Sequence, residues 1–256
     1  MNLKVCALGG IIALAVLQVS SAQKMQADAP GTIIENIDAR RDAYVDVAKQ
    51  IWGFSEVGYQ EAKSSALLQA RLSDAGFTVR RSVAGMPTAF IATSGTGRPV
   101  IAFVGEFDAL PGLSQEVGTS KKPVIQGGPG HGCGHNLLGV ASMAAAIATR
   151  EWLAGSGRPG TVRYYGTPAE EGGSGKVYMV RAGLFDAVDV AISWHPGDQN
   201  QAGANSTLAN LSAKFRFPGV AAHAAAAPDR GRSALEAVEA STSPIFNGRT
   251  SSAWMA

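Results

Sequence analysis

A chain of 256 residues, 46% apolar and 16% charged, is long enough for one large domain or one and a half ordinary ones. That composition excludes wholesale disorder, and no internal repeat or heptad period marks a solenoid or a coiled coil. The net charge of +2 comes with no basic patch and no aromatics interleaved with lysine or arginine, which excludes nucleic acid as a partner.

The first residues stand apart. Lys4 is the only charge in residues 1–22, Val5 to Val19 is mostly apolar, and Ser20 and Ala22 are small residues placed before a cut. This pattern predicts a signal peptide cleaved near Ala22 and export to the periplasm. A membrane anchor is the other reading, but the apolar run is short for a span, so no stable membrane span is expected. Cleavage removes Cys6 and leaves Cys133 as the one thiol, which rules out an internal disulfide.

Apolar residues at Ile33, Ile34, Ile37, Tyr44, Val45, Ala48 and Ile51 recur at spacings of three and four, which predicts one amphipathic helix over 32–51. A second helix is predicted from Glu61 to Ala75, stopped by Gly76. Strands are predicted at 77–83, 88–95 and 98–112. A long alanine-rich helix follows over 136–155, then a strand at 160–168, a short helix at 176–185 and a buried strand at 189–196. Strands alternating with helices specify an α/β layered fold around a central sheet, with functional groups collected at strand ends. Near Ala202 the texture changes. Residues 206–219 alternate like a strand with one exposed face and 233–240 are helical, so a smaller second domain begins here. The last stretch, 241–256, has no usable period and reads as an atypical tail.

Four histidines, His131, His135, His195 and His223, sit beside glycine, proline or alanine at element ends. In "GGPGHGCGHN" (127–136), Cys133 and His135 are two apart, and residues two apart share one side of an extended segment. An extended Cys-Gly-His entering a helix at Asn136 aims thiolate and imidazole at one point, a pairing that suits zinc or another borderline-soft divalent metal. A cysteine nucleophile with His135 as base is a weaker reading, and a glycine turn with incidental histidine is the bland one. "GEFDALPG" places Glu106 and Asp108 at a strand end, where two carboxylates call for a nearby cation or histidine. Asp108 is a candidate to orient a ligand histidine. Glu170 and Glu171 share a tight loop after a strand, and adjacent residues point different ways, which suits one to ligate metal and the other to move a proton. His195 follows a strand directly and faces a crevice or is half-buried and structural; His223 lies among alanines in the second domain.

In order, "EFDALPG", "GHGCGHN", "GTPAEEGGSGK", "WHPG" and "GVAAHAAAAPDRGRSALEA" resemble the di-metal amidohydrolases of the aminoacylase and carboxypeptidase group. The resemblance is to the branch with a cysteine in its first metal motif, which includes auxin-conjugate hydrolases and hippuricases, and it covers roughly Ile33 to Ala240. It implies a central mixed sheet flanked by helices, like a zinc exopeptidase, over 23–205, and the start of an α+β lid or dimerisation domain over 206–240. It implies two divalent ions, zinc or manganese, held by Cys133, His135, Glu171 and His195. Glu170 is then the base that deprotonates the attacking water and returns the proton to the leaving amine. Asp108 holds a ligand in place, and His223 reaches the substrate of a dimer partner and stabilises the oxyanion. The implied substrate is an N-acyl or N-aroyl amino acid such as aminobenzoyl-glutamate, in a homodimer or hetero-oligomer. A dipeptidase or carboxypeptidase on the same scaffold, or an inactive metal-binding fragment, are the alternatives. The family pattern supplies a late histidine ligand, and none follows His223, so truncation and impaired activity are expected of this chain.

Overall fold

The computed structural model describes residues 30–203, 206 and 214–242, in two units that lie within Met1–Gln199 and Asn200–Ala256. The predicted signal peptide, half of the predicted strand at 206–219 and nearly all of the tail at 241–256 lie outside the described residues.

The single helix expected over 32–51 is two helices, α1 (Pro30–Asp38) and α2 (Arg41–Phe54). Arg40 breaks them with a non-helical φ of −110° and ψ of 11°. A hydrophobic period detects phase, and a short break that preserves phase is invisible to it. α2 buries Val47, Ala48 and Ile51 on one face and ends at Ser55, which is left-handed and donates its N–H to Ile51 O at 3.1 Å. α3 (Ala62–Asp74) starts under the Glu56 carboxylate, which accepts the N–H groups of Lys63 at 3.0 Å and Ser64 at 2.8 Å. Those are among the first-turn donors that have no partner inside a helix.

The sheet contains β1 (Thr78–Arg81), β2 (Phe90–Thr96), β3 (Val100–Glu106), β4 (Gly160–Thr167) and β5 (Val190–Ile192) in the order β1-β2-β4-β3-β5. β2 is antiparallel to β1 and β4, whereas β3 is parallel to β4 and β5, so the sheet is mixed. α4 (His135–Ser156) is the crossover from β3 to β4, and α5 (Gly175–Arg181) precedes β5. The strand expected over 98–112 stops at Glu106, and Asp108 lies in the loop beyond it. The strand expected to be buried at 189–196 is instead a short edge strand with Val190 49% exposed. An apolar run at a sheet edge has the same composition as one at the centre.

Alternation along the strands builds a core on each face. Phe90, Phe103 and Tyr164 pack with α2, α3 and α4 on one side, while Ile91, Ala102 and Tyr165 pack with Met179 of α5 on the other. α4 is long and apolar enough by composition to cross a membrane, but its buried face rests on β3 and β4. Gly139 permits that close approach, because a Cβ there would stand 2.5 Å from the Glu106 main-chain oxygen. In the second unit, Val220 pairs with Arg232 in an isolated bridge and α6 (Ala234–Thr242) forms where a helix is predicted. Its described residues 214–219 carry no strand.

Candidate metal centre

The polar residues gather beyond the C-terminal ends of the parallel strands, where crossovers diverge and leave a crevice. Glu106 ends β3, Glu170 and Glu171 follow β4, His195 follows β5, and His135 opens α4. The Cys-Gly-His segment is not extended. Gly134 is left-handed with φ +82°, and the helix begins at His135 itself. The left-handed glycine turns the chain so that Cys133 and His135 still converge, a conformation open to glycine at little cost.

His135 is 1% exposed and sits at the centre. Its Nδ1 lies 3.0 Å from both Oδ1 and the main-chain oxygen of Asp108, two acceptors, which assigns the proton to Nδ1. Nε2 then lies 3.0 Å from Glu106 Oε2, 3.7 Å from Glu170 Oε2 and 3.9 Å from Glu171 Oε1. Although adjacent in sequence, the two glutamates reach toward the same ring atom. Cys133 Sγ stands 3.8 Å from His195 Nε2, and that nitrogen is 3.6 Å from Glu106 Oε2. One ligand atom from each of Cys133, His135 and His195 falls within a 4.8 Å cluster, as does one from each of Glu106, His135, Glu170 and His195.

The buried atoms Glu106 Oε2 and His135 Nε2 face each other at 3.0 Å without hydrogen-bond alignment, and neither has a hydrogen-bond partner. A neutral imidazole that donates from Nδ1 presents a lone pair at Nε2. A lone pair against a carboxylate oxygen is repulsive unless a proton or cation lies between them. Burial lowers the His135 pKa, but Asp108 and Glu106 outweigh it and push it up to about 10. Burial likewise raises Glu106, but His135 and the Lys176 ammonium bonded to its other oxygen hold it at about 2. Burial raises the Cys133 thiol; His135 pulls it back, and the charges of Glu171 and Glu170 push it further up. Glu171 is also raised, first by burial, against the pull of His135. This acidic set with imidazole and thiol fits a divalent cation, because a cation can take the place of the proton that the carboxylates otherwise hold on His135 Nε2 and also removes the thiolate penalty.

Asp108 has a second duty: its Oδ2 accepts the Glu171 N–H at 3.0 Å. His131 is buried and its Nε2 lies 3.1 Å from Ile51 O, which ties the loop to α2. His223 belongs to the second unit and is exposed there. Its Nδ1 accepts the N–H groups of Ala225 at 3.2 Å and Ala226 at 3.1 Å, which places the ring proton on Nε2. Sequence reasoning noted Glu106 but assigned it no role, and it passed over Lys176. The available signal was the position of Glu106 at the C-terminal end of a predicted strand, in phase with Asp108.

Fold and cluster together define a layered α/β protein with a candidate metal centre at the strand ends, and the chain belongs to Peptidase family M20/M25/M40, whose profile matches residues 102–256. The match runs through 241–256. Over 207 residues the chain is 54% identical to one of the two p-aminobenzoyl-glutamate hydrolase subunits of Escherichia coli, covering 80% of this chain and 43% of that protein. It is 32% identical over 216 residues to Xaa-Arg dipeptidase of Mus musculus, covering 79% and 46%. The chain thus spans less than half the length of these curated relatives. Its fold is like that of an aminobenzoyl-glutamate utilization protein from Klebsiella pneumoniae, with a TM-score of 0.54 and 20% identity over 81% of this chain and 57% of that one.

Proposed function

We propose that the protein is a metal-dependent amidohydrolase that cleaves the amide bond of N-acyl or N-aroyl amino acids, with aminobenzoyl-glutamate as the favoured type. The observation that carries this reading is the facing pair of buried, unpartnered atoms, His135 Nε2 and Glu106 Oε2, among Cys133, His195, Glu170 and Glu171. Cys133, His135, Glu171 and His195 are the residues proposed to hold two divalent ions, zinc or manganese. When bound, such ions supply Lewis-acid chemistry to water and to the scissile carbonyl. Glu170, with its side chain 33% exposed, is the proposed base that takes a proton from the attacking water and returns it to the leaving amine. Asp108 keeps His135 oriented. His223 is proposed to serve the substrate of a dimer partner, and the proton on its Nε2 gives it the donor that a developing oxyanion needs.

The identity to the p-aminobenzoyl-glutamate hydrolase of Escherichia coli supports the substrate class. A dipeptidase is the second reading, favoured by the identity to Xaa-Arg dipeptidase. Assay of the chain with zinc or manganese on aminobenzoyl-glutamate, a second N-aroyl amino acid and free Xaa-Arg dipeptides separates the two. Turnover of the N-blocked compounds alone supports the first reading, and turnover of dipeptides alone overturns it. An oligomer, as homodimer or with a second type of subunit, is proposed on the same grounds and is read by light scattering. Export is proposed from the charge and apolar pattern of residues 1–22, and N-terminal sequencing of the mature protein tests it.

A further inference from the structure

Glu61 is 0% exposed, stands at the head of α3 and takes no part in the proposed chemistry. A fully buried carboxylate is costly, so its contacts matter. Its Oε1 accepts the N–H of Ala169 at 2.8 Å, and its Oε2 accepts the Thr88 hydroxyl at 2.9 Å. Burial raises its pKa, and hydrogen bonds from its own N–H, Thr88 and Ala169 oppose the rise.

Ala169 is the residue before the two glutamates. It is 1% exposed and left-handed, with φ 55°, a conformation alanine keeps only where its surroundings over-determine it. The surroundings do so from one side. A Cβ on Gly58 would stand 2.8 Å from the Ala169 Cβ, so residues 58–61 press directly on the turn. The Tyr59 hydroxyl donates to Gly173 O, and Gly173 N–H closes the turn onto Ala169 O at 3.0 Å. From the other side Asp108 accepts the Glu171 N–H. Glu170 and Glu171 project between these two holds toward His135.

We infer that Glu61 is a positioning residue: by holding the Ala169 N–H it sets the turn that aims Glu170 and Glu171 at His135. The inference rests on the proposed roles of those two glutamates. Glu61→Gln keeps an acceptor for the Ala169 N–H, whereas Glu61→Leu removes it and leaves a buried donor without a partner. Glu61→Asp keeps the charge on a shorter arm and serves if the leucine variant does not fold. Two measurements are made on the whole chain. Hydrogen exchange at residues 168–173, without added metal, reads the turn itself. Titration with Co²⁺ reads the cluster, including the absorption band of a Cys133 thiolate bound to cobalt.

Glu61→Leu is expected to raise exchange in 168–173 and to weaken Co²⁺ binding by about tenfold or more. The thiolate band should persist at saturation, because Cys133, His135 and His195 do not hang from this turn. Glu61→Gln should stay close to wild type in both measurements. Wild-type protection of the turn in a folded Glu61→Leu or Glu61→Asp protein overturns the inference, as does a glutamine variant no better than leucine. Failure of the wild-type chain to bind Co²⁺ overturns the proposed function instead, and the exchange measurement still decides the role of Glu61.

Discussion

His135 donates from Nδ1 to Asp108 Oδ1 and to the Asp108 main-chain oxygen, each at 3.0 Å, so a carboxylate on the loop after β3 settles which ring atom the first residue of α4 turns toward the cluster. The same carboxylate accepts the Glu171 N–H. One side chain therefore links the three segments that follow β3, open α4 and follow β4.

Replacement of Asp108 should separate these duties. Asp108→Ala removes both carboxylate acceptors and is expected to lower zinc affinity by about 10–100-fold, the usual cost of losing a partner behind a ligating histidine. Asp108→Asn keeps one acceptor and turns its NH₂ group toward a donor, so its loss should be intermediate. Competition with a chromophoric chelator measures both, and unchanged affinity in the alanine variant would rule out the orienting role.

Cys133 is half-buried, and its sulfur approaches His195 Nε2 at 3.8 Å. Burial disfavours its thiolate. Cys133→Ser is expected to abolish any thiolate-to-cobalt band and to weaken Co²⁺ binding. The fold should barely notice, with a stability change within about 0.5 kcal/mol by denaturant titration. A retained band would show that the sulfur is not a ligand.

Gly139→Ala tests the close contact of α4 with β3. The added Cβ would stand 2.5 Å from Glu106 O, a main-chain atom that cannot move without its strand. Overpacking of this kind costs about 1–3 kcal/mol, read as a lower urea midpoint at unchanged slope. Because Glu106 moves with that oxygen, metal affinity should fall with stability. A neutral substitution would mean that the helix can lift away.

Asp189 supplies a pH test away from the cluster. It accepts the Val100 N–H at 2.7 Å and pairs with Arg98, and these contacts, in that order, hold its pKa below the ordinary aspartate value against a small opposing burial effect. A depressed folded pKa means that its contribution is complete above the unfolded value and is lost as pH falls through the folded one. Asp189→Asn should therefore be less stable than wild type at neutral pH, and the gap should close in acid. A gap that stays constant with pH would show that charge plays no part.

Much of this architecture is legible in the residues. Between Glu61 and Ile192 the strands and helices fall near their predicted places because each has a strong period and glycine punctuation, as in α3 before Gly76 and α4 before Gly157. Asp108, Cys133, His135, Glu170, Glu171 and His195 stand out in the sequence because polar groups at the ends of apolar strands have few structural uses. The break at Arg40 is not legible, because α1 and α2 keep one phase across it. The exposure of β5 is not legible either, because Val190 to Ile192 has the same composition at an edge as at a centre.

By itself the sequence determined the type of fold and singled out candidate donors, since period and residue type are local properties. Only the tertiary structure decided how those donors meet. It put a left-handed Gly134 where an extended segment was expected, turned Glu170 and Glu171 toward one nitrogen, and brought Glu106, Lys176 and Glu61 into play. Those relationships join residues dozens of positions apart, and the packing of α4 and the 58–61 segment against the strand ends, rather than any local preference, sets them.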